Sequence, residues 1–348
     1  MEILITGGTG YLGKYIVKDL STQVDFIYLL IQKKYLKRAQ KDFLSLGNVI
    51  PVAGDIKSPQ IFDSREDENK LRNKIDVIIH GAGCSEYNAD YFTCFFKNVV
   101  GTQNVLQFAK NLPQLKFIHY ISTLAVNGDY KGKLTEEELN HGQKFNNHFA
   151  KSKFDAELIL REFDLGLVKK RIYRLGALVG DDFEGELPKS RGPYPFFEKL
   201  VNLRPKKFLL ETLKYLPMPI EKKSIIPLIP VRDASKIIST YILNPQKRDK
   251  VKCFHVYSED CPTLGEFIQE AFEKFGLPVN IVPTQNPISS NPIMEKIGLP
   301  KEFITNLFPI RPTQGGKAKT VFPGGHKSAY NKYKIEFIDS VKRKFFSP

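Results

Sequence analysis

Six short apolar runs, alternating with stretches of helical spacing, fill the first half of the chain and limit what it can fold into. Glu2 to Thr6 (EILIT) reads as a strand, and Tyr11 to Leu20 as a helix with Leu12, Ile16, Val17 and Leu20 along one face. Phe26 to Ile31, Val49 to Ala53 and Asp76 to His80 read as further strands. A helix is expected over about Tyr91 to Lys110, a fifth strand over Phe117 to Ser122, a helix over Phe149 to Phe163 and a sixth strand over Arg171 to Leu175. Strands apolar along their whole length have no polar face to offer water, so both faces must be covered. Alternating with helices, they specify an α/β chain with a doubly wound parallel sheet.

After about Gly180 the pattern breaks. Pro188 to Pro230 is rich in Pro, Lys and aromatics; Val251 to Tyr257 reads as a strand and Thr263 to Phe275 as a helix; Pro278 to Gly325 is dense in Pro and Gly. The organisation expected is a dinucleotide-binding domain over 1–180, to which 226–260 returns. A smaller C-terminal substrate cap with its tail would take 181–225 and 261–348.

The chain carries a formal net charge of +14. That excess suits anionic partners, or is simply a basic surface. No long basic block or nucleic-acid motif is present, so no nucleic-acid partner is expected. No apolar run reaches the length of a transmembrane helix, and the opening MEILITGG lacks the features of a signal peptide. Cys84, Cys94, Cys253 and Cys261 form no CxxC pair. They read as reduced thiols in a cytoplasmic protein, with no metal site.

Thr6-Gly7-Gly8-Thr9-Gly10-Tyr11-Leu12-Gly13 lies between the first strand and the first helix. In that place glycines let the backbone turn tightly and approach a pyrophosphate, while the helix N-terminus offers unpaired N–H groups to it. At the end of the second strand an acidic residue would bind a ribose 2′-hydroxyl. The chain has Gln32, Lys33 and Lys34 there, then Lys37 and Arg38. These cations suit a 2′-phosphate, hence NADP(H) over NAD(H), or form a solvated helix face.

The chain resembles an extended short-chain dehydrogenase/reductase with a Rossmann-type sheet. More narrowly, it is similar to the thioester-reductase and fatty-acyl-CoA-reductase branch, often labelled male sterility, NAD-binding. The resemblance covers roughly residues 2 to 275. It rests on TGGTGYLG at 6–13, GD at 54–55, HGAG at 80–83, NVVGT at 98–102, STLAV at 122–126, AKSKFDAE at 150–157, YRLG at 173–176 and PVRDA at 230–234. It implies that Gly7, Gly10 and Gly13, with Thr9, Tyr11 and Leu12, form the phosphate loop. Asp55 and Ile56 would hold the adenine edge, and His80, Gly81 and Ala82 would line the middle of the cofactor. Asn98 would brace the active-site helix, Thr123 would bind the substrate carbonyl, and Lys153 would hold the nicotinamide ribose. The substrate implied is an acyl thioester on CoA or on an acyl carrier protein, or a related carbonyl.

The chain departs from the family pattern in three places. Gln32 stands where an arginine is usual, and YRLG replaces Tyr-Arg-Pro-Gly. The third departure falls on the family's Tyr-x-x-x-Lys: here the sequence is Phe149-Ala150-Lys151-Ser152-Lys153. A phenylalanine has the ring but no proton to give, so carbonyl reduction should be impaired or atypical. Tyr87, in the loop after the fourth strand, is the candidate surrogate, with Cys84 and Tyr130 behind it. Tyr330-x-x-x-Lys334 fits the bare pattern but lies in the C-terminal tail. Two alternatives follow from Phe149: a redox-silent cyclase of carrier-bound thioesters (Dieckmann-type), and an NADP(H)-sensing binding protein. Tyr194-Pro195-Phe196-Phe197 with Leu200, Phe208 and Leu209 could line an acyl channel or pack the cap. Lys342-Arg343-Lys344-Phe345-Phe346 reads as a frayed terminus or as a membrane or carrier contact.

Overall fold

The computed structural model describes residues 1–132, 135–180, 192–245, 248–284, 292–299 and 328–346. The apolar runs form β1 (Glu2–Thr6), β2 (Phe26–Ile31), β3 (Val49–Ala53), β4 (Val77–His80), β5 (Phe117–Thr123) and β6 (Lys169–Leu175). The short β7 (Ala177–Val179), β8 (Tyr215–Met218) and β9 (Leu228–Pro230) follow, then β10 (Val251–Val256) and β11 (Asn280–Pro283). One seven-stranded sheet runs β10-β6-β5-β4-β1-β2-β3, with every neighbouring pair parallel. The chain winds outward from β1 to β3 and then crosses to β4 on the other side of β1. Loops leaving the carboxyl ends of β1 and β4 therefore diverge, which opens a crevice at the reversal.

Side chains alternate across the sheet although the strands are apolar throughout. Ile3 and Ile5 join Leu12, Ile16 and Leu20 of the helix Tyr11–Ser21 in one buried layer. Leu4 faces the other way, toward Ile78, Ile118, Val105 and Leu160. The helix Val231–Leu243 was not foreseen. It buries Ala234, Ile237, Ile238 and Tyr241 in the first layer, and Ser235 donates to Asp19 at 2.6 Å.

The cap has its own core. Tyr194, Phe196, Phe197 and Leu200 of the helix Tyr194–Leu203 pack with Phe267, Phe272 and Phe337. These aromatics are buried in the cap core and do not line the cavity along the strand ends, while Phe208 is 81% exposed. Thr263 and Glu266 close a reciprocal capping box on the helix Leu264–Lys274. The terminus is not frayed as expected. Tyr330–Phe346 is one helix that buries Phe337, Ile338 and Val341 in the cap core, and apolar burial outweighs the tendency of chain ends to fray. Most of the Pro- and Gly-rich stretch over 278–325 lies outside the described residues. Among the described residues, no helix is long and apolar enough to cross a membrane.

Candidate active site

The loop leaving β1 is shaped by what glycine lacks. Gly7 has φ +80°, and a Cβ there would lie 2.6 Å from the Ala82 nitrogen. A Cβ on Gly13 would lie 2.1 Å from the Gly7 carbonyl oxygen. The Gly10 N–H donates to that same oxygen at 3.0 Å, and Gly10 begins the helix with no side-chain cap. A helix N-terminus without a side-chain cap favours an anion beside it. If the loop seats a dinucleotide, Gly13→Ala should weaken its binding by about 10- to 100-fold through overpacking. Calorimetric titration reads this, and unchanged affinity would refute the fit.

A cavity of about 620 Å³ runs along the carboxyl ends of the strands. Gly7, Thr9, Gly10, Tyr11, Leu12 and Gly13 line it. Gln32, Asp55 and Ile56 line it on the β2 side, Gly81 and Ala82 follow β4, and Tyr87, Thr123, Phe149 and Lys153 line it on the β5 side. Five residues expected at the nucleotide do not line it: Lys33, Lys37, Arg38, His80 and Asn98. Arg38 is exposed and faces Asp42 at 3.7 Å. The 3₁₀ turn Lys33–Tyr35 brings in Lys34 and Tyr35 instead. Lys57 and Lys97 also line the cavity and were missed. Lys34 was legible as one of the cations after β2; nothing in the pattern singled out Lys57 or Lys97. Gln32 donates to Asp55 at 2.9 Å, and Lys57 lies 3.5 Å from the same carboxylate.

His80 and Asn98 act behind the wall. The Thr102 hydroxyl donates to the Asn98 carbonyl at 2.6 Å, so it accepts from His80 Nε2 at 3.0 Å. The Thr6 hydroxyl accepts from the Ala82 N–H and donates to His80 Nδ1 at 2.7 Å. Burial, with Lys153 nearby, pushes His80 down to about 3 and keeps it neutral. Asn98 sits in the π-helical stretch Phe95–Val100, inside a helix continuous from Tyr91 to Lys110. Its side chain takes the Cys84 N–H at 2.7 Å and gives to the Cys84 carbonyl and the Ser152 hydroxyl. It therefore ties the loop after β4 to the helix His148–Glu162.

That helix presents Phe149 and Lys153 one turn apart, on the same face. Lys153 Nζ donates to the Ile121 carbonyl at 2.6 Å and lies 4.2 Å over the Tyr120 ring. Burial lowers it to about 7, against the opposing pull of Glu157. Thr123 Oγ accepts from the Ala125 N–H at 3.2 Å. Phe149 is buried among Cys84, Cys94, Ala125 and Ala150, and its ring meets that of Tyr87. Tyr130 stacks on His141 at 3.9 Å and does not line the cavity. Tyr330 packs in the cap core, and Lys334 pairs with Glu270 at 3.0 Å. No disulfide joins the four cysteines, and no cluster of metal-ligating side chains occurs among the described residues.

Behind Thr123 lies a buried charge network. Glu157 accepts from Ser122 at 2.6 Å, from Arg174 at 2.8 Å and from Arg161 at 3.0 Å. The two guanidiniums also hold the carbonyls of Thr135, Glu136, Glu137 and Glu138. Burial pushes the Glu157 carboxyl up, but Arg174 and its neighbours bring it below the usual range.

The family described as Male sterility protein matches residues 5–221. A linear gramicidin synthase chain of Brevibacillus parabrevis is 25% identical over 264 residues, 71% of this chain and 5% of that protein. Fatty acyl-CoA reductase 2, chloroplastic, of Arabidopsis thaliana is 28% identical over 167 residues, 40% of this chain and 27% of the relative. The chain thus spans well under a third of these relatives. Among solved structures, the terminal R domain from the myxalamid PKS-NRPS pathway superposes with TM-score 0.72 at 21% identity, covering 99% of this chain and 91% of that one. That likeness bears on the fold.

Proposed function

Because the chain belongs to the male sterility protein family, in the thioester-reductase branch of the extended short-chain dehydrogenase/reductases, we propose that it reduces an acyl thioester with NADP(H), and does so poorly. The thioester would be carried on CoA or on an acyl carrier protein. One observation carries the reading: the glycine loop, Thr123 and Lys153 line a single cavity. The cradle suits a dinucleotide, since a Cβ at Gly7 or Gly13 would meet backbone.

Gly7, Gly10 and Gly13 would seat the pyrophosphate, with Thr9, Tyr11 and Leu12 around it, and Asp55 and Ile56 would take the adenine edge. Lys34 and Lys57 would meet a 2′-phosphate. Gly81 and Ala82 would lie along the middle of the cofactor, and Lys153 would hold the nicotinamide ribose. When bound, the nucleotide supplies a hydride to the substrate carbonyl. Thr123 Oγ donates to that carbonyl oxygen and polarises it. Lys153, lowered to about 7 by burial, places a positive charge beside the developing oxyanion in its protonated form. Phe149 excludes water from that wall and offers no proton. Four thiols without a disulfide suit a reducing, cytoplasmic setting.

The test is oxidation of NADPH and of NADH against a panel of acyl-CoA and acyl-phosphopantetheine thioesters. Slow turnover with NADPH supports the reading; none with either nucleotide across the panel overturns it. Lys34→Ala should weaken NADPH by about tenfold, the loss of one charge-assisted contact, and leave NADH unchanged. Equal losses for both would remove the assignment of NADP(H). Phe149 also favours a redox-silent reading, in which a carrier-bound β-ketoamide thioester cyclises. Product formed without any nucleotide would establish it. A nucleotide sensor would bind NADPH and turn over nothing.

A further inference from the structure

The geometry points to Tyr87 as the proton donor that serves in place of the ring at 149, a role that rests on the thioester-reductase reading above. Tyr87 comes from the loop after β4, not from the active-site helix. Its ring lies 5.6 Å, centroid to centroid, from that of Phe149 at an interplanar angle of 59°. Both line the cavity beside Thr123 and Lys153. Two other described tyrosines line that cavity. Tyr11 gives its hydroxyl proton to the Gly180 carbonyl, and Tyr35 is half exposed on the β2 side. Tyr120, beneath Lys153, is fully buried behind the sheet and does not line the cavity.

The phenol oxygen of Tyr87 accepts a hydrogen bond from the Gly192 backbone. That bond stabilises the phenolate left after a proton departs. Burial acts the other way and makes this phenol a weaker acid than an ordinary tyrosine, which accords with slow rather than absent turnover. In the step itself, the O–H bond of Tyr87 breaks and its proton goes to the substrate alkoxide, whose lone pair forms the new O–H bond of a hemithioacetal; its C–S bond then breaks, the hydroxyl proton passing to sulfur, to release the thiol and an aldehyde. The electron pair stays on Tyr87 as phenolate, held by the Gly192 N–H, until water returns a proton. The hydride donor is the reduced nicotinamide nucleotide.

The experiment compares the parent chain, Tyr87→Phe, Phe149→Tyr and the double variant. Fluorine NMR of 1-fluorododecan-2-one, which stays mainly a ketone in water, bound without nucleotide, reads hydrogen bonding to the carbonyl. Turnover with NADPH and decanoyl-CoA reads the chemistry. Tyr87→Phe should lower kcat by about 10²-fold, the lower end for an acid catalyst, with KM little changed, and should shift the fluorine resonance toward that of an unbonded ketone. Restoring a phenol at 149 should rescue the double variant, which also shows that the Tyr87→Phe chain folds. An unchanged fluorine shift and unchanged kcat in Tyr87→Phe overturn the role of Tyr87 and leave the reductase reading standing. If no variant turns over decanoyl-CoA or the wider thioester panel, the reductase reading falls. The fluorine shift then decides separately whether Tyr87 donates to a bound carbonyl.

Discussion

Phe149→Tyr is expected to raise kcat for thioester reduction by about 10- to 10²-fold, the part of a positioned general acid's usual 10²- to 10⁴-fold worth that a weakly acidic Tyr87 leaves unrealised. The site is otherwise prepared for a phenol. Asn147 caps the helix by accepting the Ala150 N–H at 2.9 Å, and Ser152 donates to the Phe149 carbonyl at 2.9 Å while receiving from Asn98. The ring position is therefore fixed from both sides. Lys153, one turn on, would in its protonated form favour the phenolate and make the new tyrosine a better acid. NADPH affinity should hardly move, because the glycine loop is untouched. Steady-state rates beside calorimetric titration measure both. Equal activity in parent and variant would mean that another donor, Tyr87 first, already supplies the proton, whereas intact NADPH binding with no turnover of any thioester by either chain would favour the redox-silent reading.

Arg174→Met is expected to cost about 3–5 kcal/mol of folding stability, since it leaves a buried carboxylate short of its main cation. Glu157 and Arg174 have fully buried side chains. The substitution also strips hydrogen bonds from the Thr135 and Glu138 carbonyls. The pH dependence has a definite sign. Glu157 is held below its ordinary value in the folded chain, so its contribution is whole above about pH 4.3, the unfolded value. It is lost as pH falls through the folded value. The gap between parent and variant in urea unfolding should thus narrow on acidification. A variant as stable as the parent at neutral pH would show that the pair holds nothing together.

The seven strands of the main sheet were legible to within two residues because each apolar run ends in turn-forming or charged residues, while the four short strands outside it were not. The glycine loop was legible because its constraint is local: whether a Cβ fits at Gly7 or Gly13 is decided by the two strand ends beside it. The cations at the β2 end were legible only as a group, for the opposite reason. Which of Lys33, Lys34 and Arg38 turns inward depends on one 3₁₀ turn, and composition does not encode its phase. Glu157 and Arg174 stood inside two quoted motifs, but their partnership crosses 17 residues and two elements, and neither motif alone announces a buried ion pair. Val231–Leu243 carried a helical stripe that the proline- and lysine-rich stretch before it obscured.

The relay from Ala82 through Thr6, His80 and Thr102 to Asn98 has a consequence for where the protein can work. Its links are an amide, two alcohols, a carbonyl and an imidazole that takes up a proton only in strong acid. Between mildly acidic and mildly alkaline surroundings nothing in it changes charge. The alignment of the nucleotide wall with the helix bearing Phe149 and Lys153 should accordingly stay constant as cellular acidity drifts. Any response to pH in that range must arise at the reacting groups, not in the frame that holds them.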